Sequence, residues 1–382
     1  EIAGRELLTL TDDLEELARR SASRWPERRF VGFLARPIDA CCVRAVVTLT
    51  VVAGPLFVAL WLPSMNTALL GLAYFVVATV IAERGESLEH SNIHNAVFRC
   101  APSATRGERL LARLVDGFAT YVVMTICLRI PNWYRAQHVG IHHAEDNGLD
   151  DVQTTLGLDR RSFFDFSRAA LRHALALTFS PLAIRYLARR RSRRLLRQLI
   201  RSLVGYYGLL AAGAFFNPRA AAVILILVLA ACPWVVAGYY EWHAFIDEDD
   251  PTNVFRNTTS FELEGAYGYL GGGRHLEHHL HPSRHWSTYD ALFHDNRQKY
   301  TELGAVVLRA GPGSVASHLL ARSFGDLARD RVASIGDRTD AEWCARELER
   351  RSHPAKPRRH GLVDRIDRAC AMVVGRFVLD DY

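Results

Sequence analysis

The sequence lacks any paired-cysteine motif. Its seven cysteines show no Cys-x-x-Cys spacing, which excludes zinc ribbons, rubredoxin-type iron sites and thioredoxin-like motifs. The N-terminal residues also lack the charged start, apolar core and cleavage site of a signal peptide. We therefore expect a reducing, cytoplasm-facing compartment, in which cysteines within apolar runs act as small hydrophobic residues.

Lysine is almost absent from the chain. Lys299 and Lys356 are the only lysines, so arginine supplies nearly all the basic charge behind a formal net charge of +6. An excess of basic over acidic residues is also found in nucleic-acid-binding proteins. Here, however, the arginines flank long apolar runs, as expected for contacts with anionic lipid headgroups. We therefore expect membrane lipids as partners and no nucleic acid.

The hydrophobic residues, 49% of the chain, are concentrated in long runs. The runs span residues 44–62, 67–82, 199–216 and 220–241. Each approaches the length that crosses a hydrocarbon core of about 30 Å. Short turns at 63–66 and 217–219 join them in pairs. The pattern predicts four transmembrane helices arranged in two hairpins.

Arginine is concentrated on one side of these hairpins. The turns at 63–66 and 217–219 contain one arginine, whereas the opposite side carries Arg19, Arg20, Arg24, Arg28, Arg29, Arg84, Arg189–Arg191, Arg193 and Arg194. By the positive-inside rule that side is cytoplasmic. We therefore expect an integral protein of a bacterial inner membrane, with everything except the two turns on the cytoplasmic side.

Three regions follow from this pattern, and together they predict an all-α polytopic membrane protein with a cytosolic helical cap. Residues 1–43 form an N-terminal cytosolic segment with an amphipathic helix at 10–24. Residues 44–298 form the membrane domain, in which the mixed segments 109–130 and 168–188 are interpreted as interfacial or half-inserted helices. Residues 299–382 form a C-terminal cytosolic appendage that is helical in pattern.

Eight of the sixteen histidines fall in three tight clusters. The clusters are His90 and His94; His138, His142 and His143; and His275, His278 and His279. In a helix, histidines four residues apart lie on one face, about one turn from each other. Adjacent histidines point about 100° apart, so a doublet can serve two neighbouring metals.

The number and type of these side chains indicate metal chemistry. Imidazole binds zinc, copper, iron and nickel, and eight histidines are too many for one tetrahedral zinc. No pair of Glu-x-x-His motifs accompanies them, which argues against a ferritin-type carboxylate site. A purely structural role is the better interpretation for the isolated His173, His294, His318, His353 and His360. For the clusters we predict two metal ions, held where three similar segments meet one membrane face.

Further residues are candidates for the same site. His243 ends the fourth apolar run in the segment GYYEWHAF, and we predict it as a ninth ligand. His281 and His285 follow the third cluster, where a supporting or substrate-facing role is favoured over ligation. Asp146, Asp150, Asp151 and Glu277 are candidates to orient the imidazoles, although a solvated acidic loop explains them equally well.

The order H-x3-H, H-x3-H-H and H-x2-H-H resembles the integral-membrane fatty acid desaturase and hydroxylase superfamily over roughly residues 44–298. The segment GRHLEHHLHPSRHW is also similar to the R-H-x2-H-H-x2-P-x-R pattern of bacterial alkane hydroxylases, and GYYEWHAF to the segment that supplies their additional histidine. The resemblance implies that the iron ligands are His90, His94, His138, His142, His143, His243, His275, His278 and His279.

The same resemblance implies two non-haem irons, O2 as co-substrate and an external electron donor of ferredoxin, rubredoxin or cytochrome b5 type. The donor is external because the chain has neither a fused H-P-G-G haem motif nor rubredoxin cysteines. The expected activity is desaturation or hydroxylation of an unactivated C–H bond in a fatty-acyl or other lipid-like substrate. Alternatives are an alkane-type terminal hydroxylase, a tailoring oxygenase of a natural-product intermediate, a zinc-dependent membrane hydrolase and a metal transporter.

Overall fold

The computed structural model describes residues 34–62, 66–262, 270–309 and 312–354. The predicted amphipathic helix at 10–24 and the end of the appendage beyond 354 lie outside the described residues. The described chain forms two compact units. Unit 1 draws on the chain up to Arg135 and on Arg197–Val228, and unit 2 draws on Ala136–Leu196 and on the chain from Leu229.

Unit 1 contains most of the residues of the predicted transmembrane helices. Its helices are α1 Ala40–Leu60, preceded by the 3-10 turn Pro37–Asp39, α2 Thr67–Val80, α3 Ala82–Asn95 and α4 Arg106–Gly117. The second hairpin comprises α7 Arg193–Phe216, which begins in unit 2, and α8 Pro218–Ala230, which ends there. Asn66 caps α2 by accepting a hydrogen bond from the Leu69 amide at 3.1 Å, as short polar side chains commonly do at helix starts.

The end of α1 and the turn at Asn217 lie together in unit 1. The Asn217 amide group accepts a hydrogen bond from the Ala220 backbone and donates one of 3.3 Å to the Leu60 carbonyl. Gly213 allows the close approach of the helices, because a Cβ there would lie 2.5 Å from the Trp61 ring. The end of α1 therefore contacts the end of α7 and the Asn217 turn that follows it.

The apolar helices are long enough to cross a membrane. Among the described residues, three helices meet the length and composition that a span requires: Pro37–Leu60, Arg193–Phe216 and Pro218–Trp242. A fourth is obtained if Thr67–Val80 and Arg84–Asn95, which bend by 56°, count as one span. The last span is interrupted between α8 and α9, Cys232–Trp242, where Pro233 removes a backbone donor. The chain is thus a helical protein with three to four candidate spans.

The two ambiguous segments do not form such spans. The first consists of α4, a π-helical continuation at Phe118–Val123 and a final turn at Met124–Ile126. The second divides into α5 Phe163–Phe179 and α6 Pro181–Arg189, at a left-handed Ser180 with φ of +49°. Their interfacial position stays a prediction.

Unit 2 carries the remaining elements. They are the π-helix Arg135–His142, which starts at the unit boundary, the turn His143–Glu145, α5, α6, α9, α10 Val254–Asn257, β1 Thr259–Phe261, α11 His275–Leu280, the 3-10 turn Trp286–Thr288, α12 Tyr289–Glu302, β2 Val306–Leu308, α13 Pro312–Ala321, α14 Phe324–Arg331, β3 Val332–Ile335 and α15 Ala341–Ser352. The predicted helical pattern AEWCARELERR is confirmed as α15.

A small sheet corrects the all-α prediction. Strand β2 pairs in parallel with β1 and antiparallel with β3. Its side chains join a buried core in which Phe245 and Phe261 pack with residues of the predicted appendage such as Leu319, Phe324 and Leu348. Strands of three or four residues are too short to show a clear alternation of apolar and polar residues in the sequence. The hydrophobic pattern therefore does not predict them.

Candidate metal centre

The second histidine cluster lies on a π-helical segment rather than on a regular α-helix. Residues Arg135–His142 are π-helical, a geometry that is rare and frequent at functional sites. His138 and His142 still stack within the segment, with ring centroids 5.3 Å apart and planes inclined by 24°. The predicted neighbour relation of this pair therefore holds, although the backbone differs from the one we expected.

Four buried imidazoles of unit 2 converge on one point. They belong to His142, His243, His275 and His279, and we call them the four-histidine group; their facing nitrogens all lie within 4.8 Å of one another. The Nε2 atom of His243 is 3.3 Å from that of His142 and 3.1 Å from that of His275. The Nε2 atoms of His275 and His279 are 3.0 Å apart.

The outer nitrogens of three of these rings face hydrogen-bond acceptors. His142 Nδ1 lies 2.6 Å from Asp151 Oδ2, and His279 Nδ1 lies 2.9 Å from Asp146 Oδ1. His243 Nδ1 lies 2.7 Å from the Asn257 carbonyl oxygen. A carbonyl oxygen and an ionised carboxylate can only accept hydrogen bonds. The proton of each neutral ring is therefore held at Nδ1, and the Nε2 lone pairs point inward.

Electrostatics reinforces this arrangement at His243. Burial, followed by the neighbouring His142, lowers the pKa of His243 to about 3, so that the ring is neutral near pH 7. Burial also raises the pKa of Asp146 above its ordinary value, while His142 and His243 act in the opposite direction. A neutral imidazole is the form that binds a metal ion.

A second group lies beside the first in unit 2. It comprises His138, His143 and His278, the three-histidine group. Its Nε2 atoms form a triangle with sides of 3.2 Å from His138 to His278, 3.2 Å from His138 to His143 and 2.8 Å from His143 to His278. His278 Nδ1 lies 3.3 Å from the Tyr289 hydroxyl. The His143 ring centroid is 4.9 Å from that of His279, so the groups are neighbours and each adjacent doublet contributes one ring to each group.

The first histidine cluster lies in unit 1. His90 and His94 are half-buried on α3, with ring centroids 5.0 Å apart. The His90 ring centroid is also 6.3 Å from that of Tyr134. The rings of His90 and His94 are therefore neighbours on one side of α3, as their spacing of four residues predicts.

The structure distinguishes among the predicted supporting residues. Asp146 and Asp151 contact imidazoles, whereas Asp150 pairs with Arg189 at 3.7 Å on the surface. His285 Nδ1 lies 2.8 Å from the Ser287 hydroxyl in its own turn, and the His281 carbonyl faces the Tyr289 hydroxyl at 3.5 Å.

Glu277 does not contact an imidazole through a hydrogen bond. Neither of its carboxylate oxygens has a hydrogen-bond partner among the described residues, and burial raises its pKa to about 7. Its own backbone N–H and, less strongly, the nearby Tyr300 hydroxyl act in the opposite direction on this pKa. Burial, followed by Glu277, raises the pKa of Tyr300. The structure therefore shows no hydrogen bond from Glu277 to an imidazole within the described residues, and its role in orienting the histidines stays a prediction.

Two contributors to the site had no usable signal in the sequence. The Asn257 carbonyl that holds His243 is a backbone group, and any residue type supplies one. The Thr155 hydroxyl donates a hydrogen bond of 3.1 Å to the His243 carbonyl. Trp242 stacks on His275 with ring centroids 5.0 Å apart and planes inclined by 13°; its position directly before His243 could have suggested this contact.

The donor set fits a metal ion. The four facing nitrogens lie within 4.8 Å of one another; the lone pairs of His142, His243 and His279 repel one another there, and a cation between them converts that repulsion into ligation. Imidazole nitrogen suits iron, zinc, copper and nickel. The outward hydrogen bonds to carboxylates and a carbonyl are those that usually fix the orientation of metal-bound histidines. Unit 2 therefore presents two adjacent histidine groups that can hold metal.

Comparison with known proteins agrees with this chemistry. The family model for fatty acid desaturases matches residues 93–310, more than half of the 382 residues. The match contains His94 and all seven histidines of the two groups in unit 2. No curated protein and no solved structure gave a significant match. The chain therefore belongs to the fatty acid desaturase family, within the superfamily of membrane fatty acid desaturases and hydroxylases.

Proposed function

We propose that the protein is a membrane-bound non-haem di-iron oxidase that desaturates or hydroxylates an unactivated C–H bond of a fatty-acyl or other lipid-like substrate. The observation that carries the proposal is the pair of histidine groups, four and three imidazoles, directly beside each other in a helical membrane protein of this family. A zinc hydrolase needs only three or four ligands around one metal, fewer than unit 2 alone provides.

We assign the ligands on the same basis. The four-histidine group would hold one iron, and the three-histidine group would supply some of the ligands of the other iron. His90 and His94 are proposed as further ligands from the sequence pattern. Bound iron would supply the activation of O2 and the removal of hydrogen from carbon. A ferredoxin, rubredoxin or cytochrome b5 type protein would supply the electrons.

The residues of the chain itself orient and shield the metal ligands. Asp151, Asp146 and the Asn257 carbonyl keep a proton on Nδ1 of His142, His279 and His243, which leaves each Nε2 available. His142 and His243 are at most 1% exposed, so bulk water is excluded from their side of the group. Exclusion of water protects reactive species from side reactions, and rigid placement of the substrate decides between an alkene and an alcohol.

Metal and product analysis test this proposal. We expect purified full-length protein to contain about two irons per chain, as the surplus of imidazoles over a single zinc site requires. With lipid-like substrates, O2 and an electron-donor system, we expect a product lighter by two mass units for desaturation, the outcome we favour. A gain of sixteen would indicate hydroxylation of the alkane-hydroxylase or natural-product type. One zinc per chain with hydrolysed product would contradict the di-iron assignment.

We also propose that the site faces the cytoplasm of a bacterial cell, as the arginine distribution indicates. Asp150, whose side chain is 57% exposed, lies one residue before Asp151. A cysteine introduced there should react with a membrane-impermeant maleimide only after the cells are opened. Labelling of intact cells above the level of the unsubstituted chain would place the site on the other side.

A further inference from the structure

A cavity of about 450 Å³ lies in unit 1, outside the histidine groups. Its wall is formed by the C-terminal end of α3, the loop that follows and one side of α4. Pockets of this size accommodate small ligands and lipid headgroups. The cavity is bordered by an unusual number of arginines: Arg99, Arg109, Arg113 and Arg135.

Arginines outnumber acidic residues among the side chains that line the cavity. Asp116 is the one acidic residue among the lining side chains, and its Oδ1 already accepts a hydrogen bond of 2.8 Å from the Asn92 amide. Arg99 and Arg113 are exposed and, within the part of the chain that the structure describes, neither forms an ion pair. The Arg109 guanidinium donates to the Ala104 carbonyl. Four arginines and one aspartate therefore line the cavity.

Helix α4 has the residue pattern of a helix that lies in the membrane interface, the position predicted for it from the sequence. One side of α4 exposes apolar side chains: Leu110 (58% exposed), Leu114 (61%) and, directly after the helix, Phe118 (39%). Helices that lie in the membrane interface turn such an apolar face toward the acyl chains. Arg109 and Arg113 are one turn apart on the adjoining side. The guanidinium group is planar, and its paired donors match the oxygens of a phosphate.

We propose that this cavity binds a phosphate group, presented by an anionic phospholipid at the membrane surface. The apolar side of α4 contacts the acyl region, and the arginines contact the phosphate oxygens. The proposal does not depend on the histidine groups or on the reaction they support. The site would retain anionic lipid next to α3, the helix that carries His90 and His94.

Binding of a short-chain phosphatidylglycerol to the full-length protein in detergent tests the proposal, with short-chain phosphatidylcholine and inorganic phosphate as the other probes. We expect phosphatidylglycerol to bind more tightly than phosphatidylcholine. Arg113→Gln should weaken its binding about tenfold, since charge-assisted hydrogen bonds are the strong ones. Arg109→Gln with Arg113→Gln should weaken it further. The matched control is Arg329→Gln, at an exposed arginine of α14, which should leave binding unchanged.

Each alternative outcome has a defined meaning. Equal affinity for the two lipids, or unchanged affinity in both cavity variants, would overturn the proposal. If inorganic phosphate binds as tightly as phosphatidylglycerol, the cavity binds a free anion. That result would contradict the proposal that the phosphate group belongs to a phospholipid. Arg113 is exposed and makes no ion pair within the described residues, so Arg113→Gln is expected to fold, and an unchanged thermal transition verifies this.

Discussion

Replacing His142 by alanine should lower the bound iron from about two to about one per chain and reduce turnover by more than roughly 100-fold, since loss of an outer partner alone costs 10–100-fold. His142 is 1% exposed. Its Nε2 is 3.3 Å from that of His243, at the centre of the four-histidine group. Alanine removes one of four ligands and leaves the Asp151 carboxylate buried without its partner. Iron per chain and turnover with the donor system measure the effect.

An exposed histidine provides the matched control. His294 lies on α12 at the surface, and we predict a structural role for it. His294→Ala should therefore retain the iron content and the turnover of the unsubstituted protein. Retention of both irons by His142→Ala, with the control behaving as expected, would refute the assignment of His142 as a ligand.

A milder substitution separates orientation of a ligand from ligation itself. Asp151→Asn keeps the size of the side chain but removes the charge that faces His142 Nδ1 at 2.6 Å. We expect iron affinity to fall about 10–100-fold, with the fold retained, because such outer partners fix the ring and raise its basicity. The neighbouring Asp150→Asn changes an exposed carboxylate and should leave iron affinity unchanged. Equal effects of the two substitutions would argue against a specific role for Asp151.

The sequence was most informative where one physical requirement dominates. A span needs an uninterrupted apolar run, so the sequence predicts α1, the end of α7 and the span formed by α8 and α9 together to within a few residues. The break between α8 and α9 and the arginine-rich start of α7 at Arg193 are not predicted. Metal ligation by imidazole requires clustered histidines, so their spacing predicts six of the seven residues of the two groups, and His243 is predicted from its place at the end of the fourth apolar run. The spacing of adjacent doublets also indicated that each would divide between two groups.

Elements that depend on distant contacts were not visible in the sequence. Strand β2 has only three residues and is defined by its pairing with β1 and β3, which lie far away in the chain. The π-helical backbone of Arg135–His142 has the same residue pattern as an α-helix. The Asn257 carbonyl is selected by position and not by residue type. Glu277 is a sequence candidate to orient the imidazoles, but its carboxylate oxygens have no hydrogen-bond partner among the described residues.

Arg160 is the clearest example of a residue whose importance only the structure reveals. It is 1% exposed, although the sequence does not distinguish it from Arg161 beside it. Its guanidinium donates to five backbone carbonyls: Ala244 at 2.7 Å, Thr155 at 2.8 Å, Leu158 at 3.3 Å, Arg351 at 2.6 Å and His353 at 2.8 Å. Burial lowers its pKa to about 10, so the group remains charged near pH 7. It connects the end of α15 to the residue that follows His243.

Replacing Arg160 by methionine should destabilise unit 2 by about 3–5 kcal/mol, because each buried acceptor without a donor costs about 1–3 kcal/mol and partial rearrangement recovers some of the sum. The thermal transition of the full-length protein in detergent should fall by roughly 10 °C. Methionine has a similar length, so loss of the donors rather than a large void is tested. Iron content should fall as well, since the Ala244 and Thr155 contacts hold the backbone around His243.

The control uses another arginine of the same region. Arg346 lies on α15, is 65% exposed and pairs only at 3.3 Å with Glu342 among the described residues, so Arg346→Met should change stability by no more than about 0.5 kcal/mol. Arg160→Lys refines the comparison, because it keeps a cation but presents three donors in place of five. If charge alone stabilised the segment, lysine would restore the transition temperature. If the five carbonyls require the planar guanidinium group, Arg160→Lys will recover only part of the fall in transition temperature. The iron content should then rank the unsubstituted protein, Arg160→Lys and Arg160→Met in the same order as the transition temperature does.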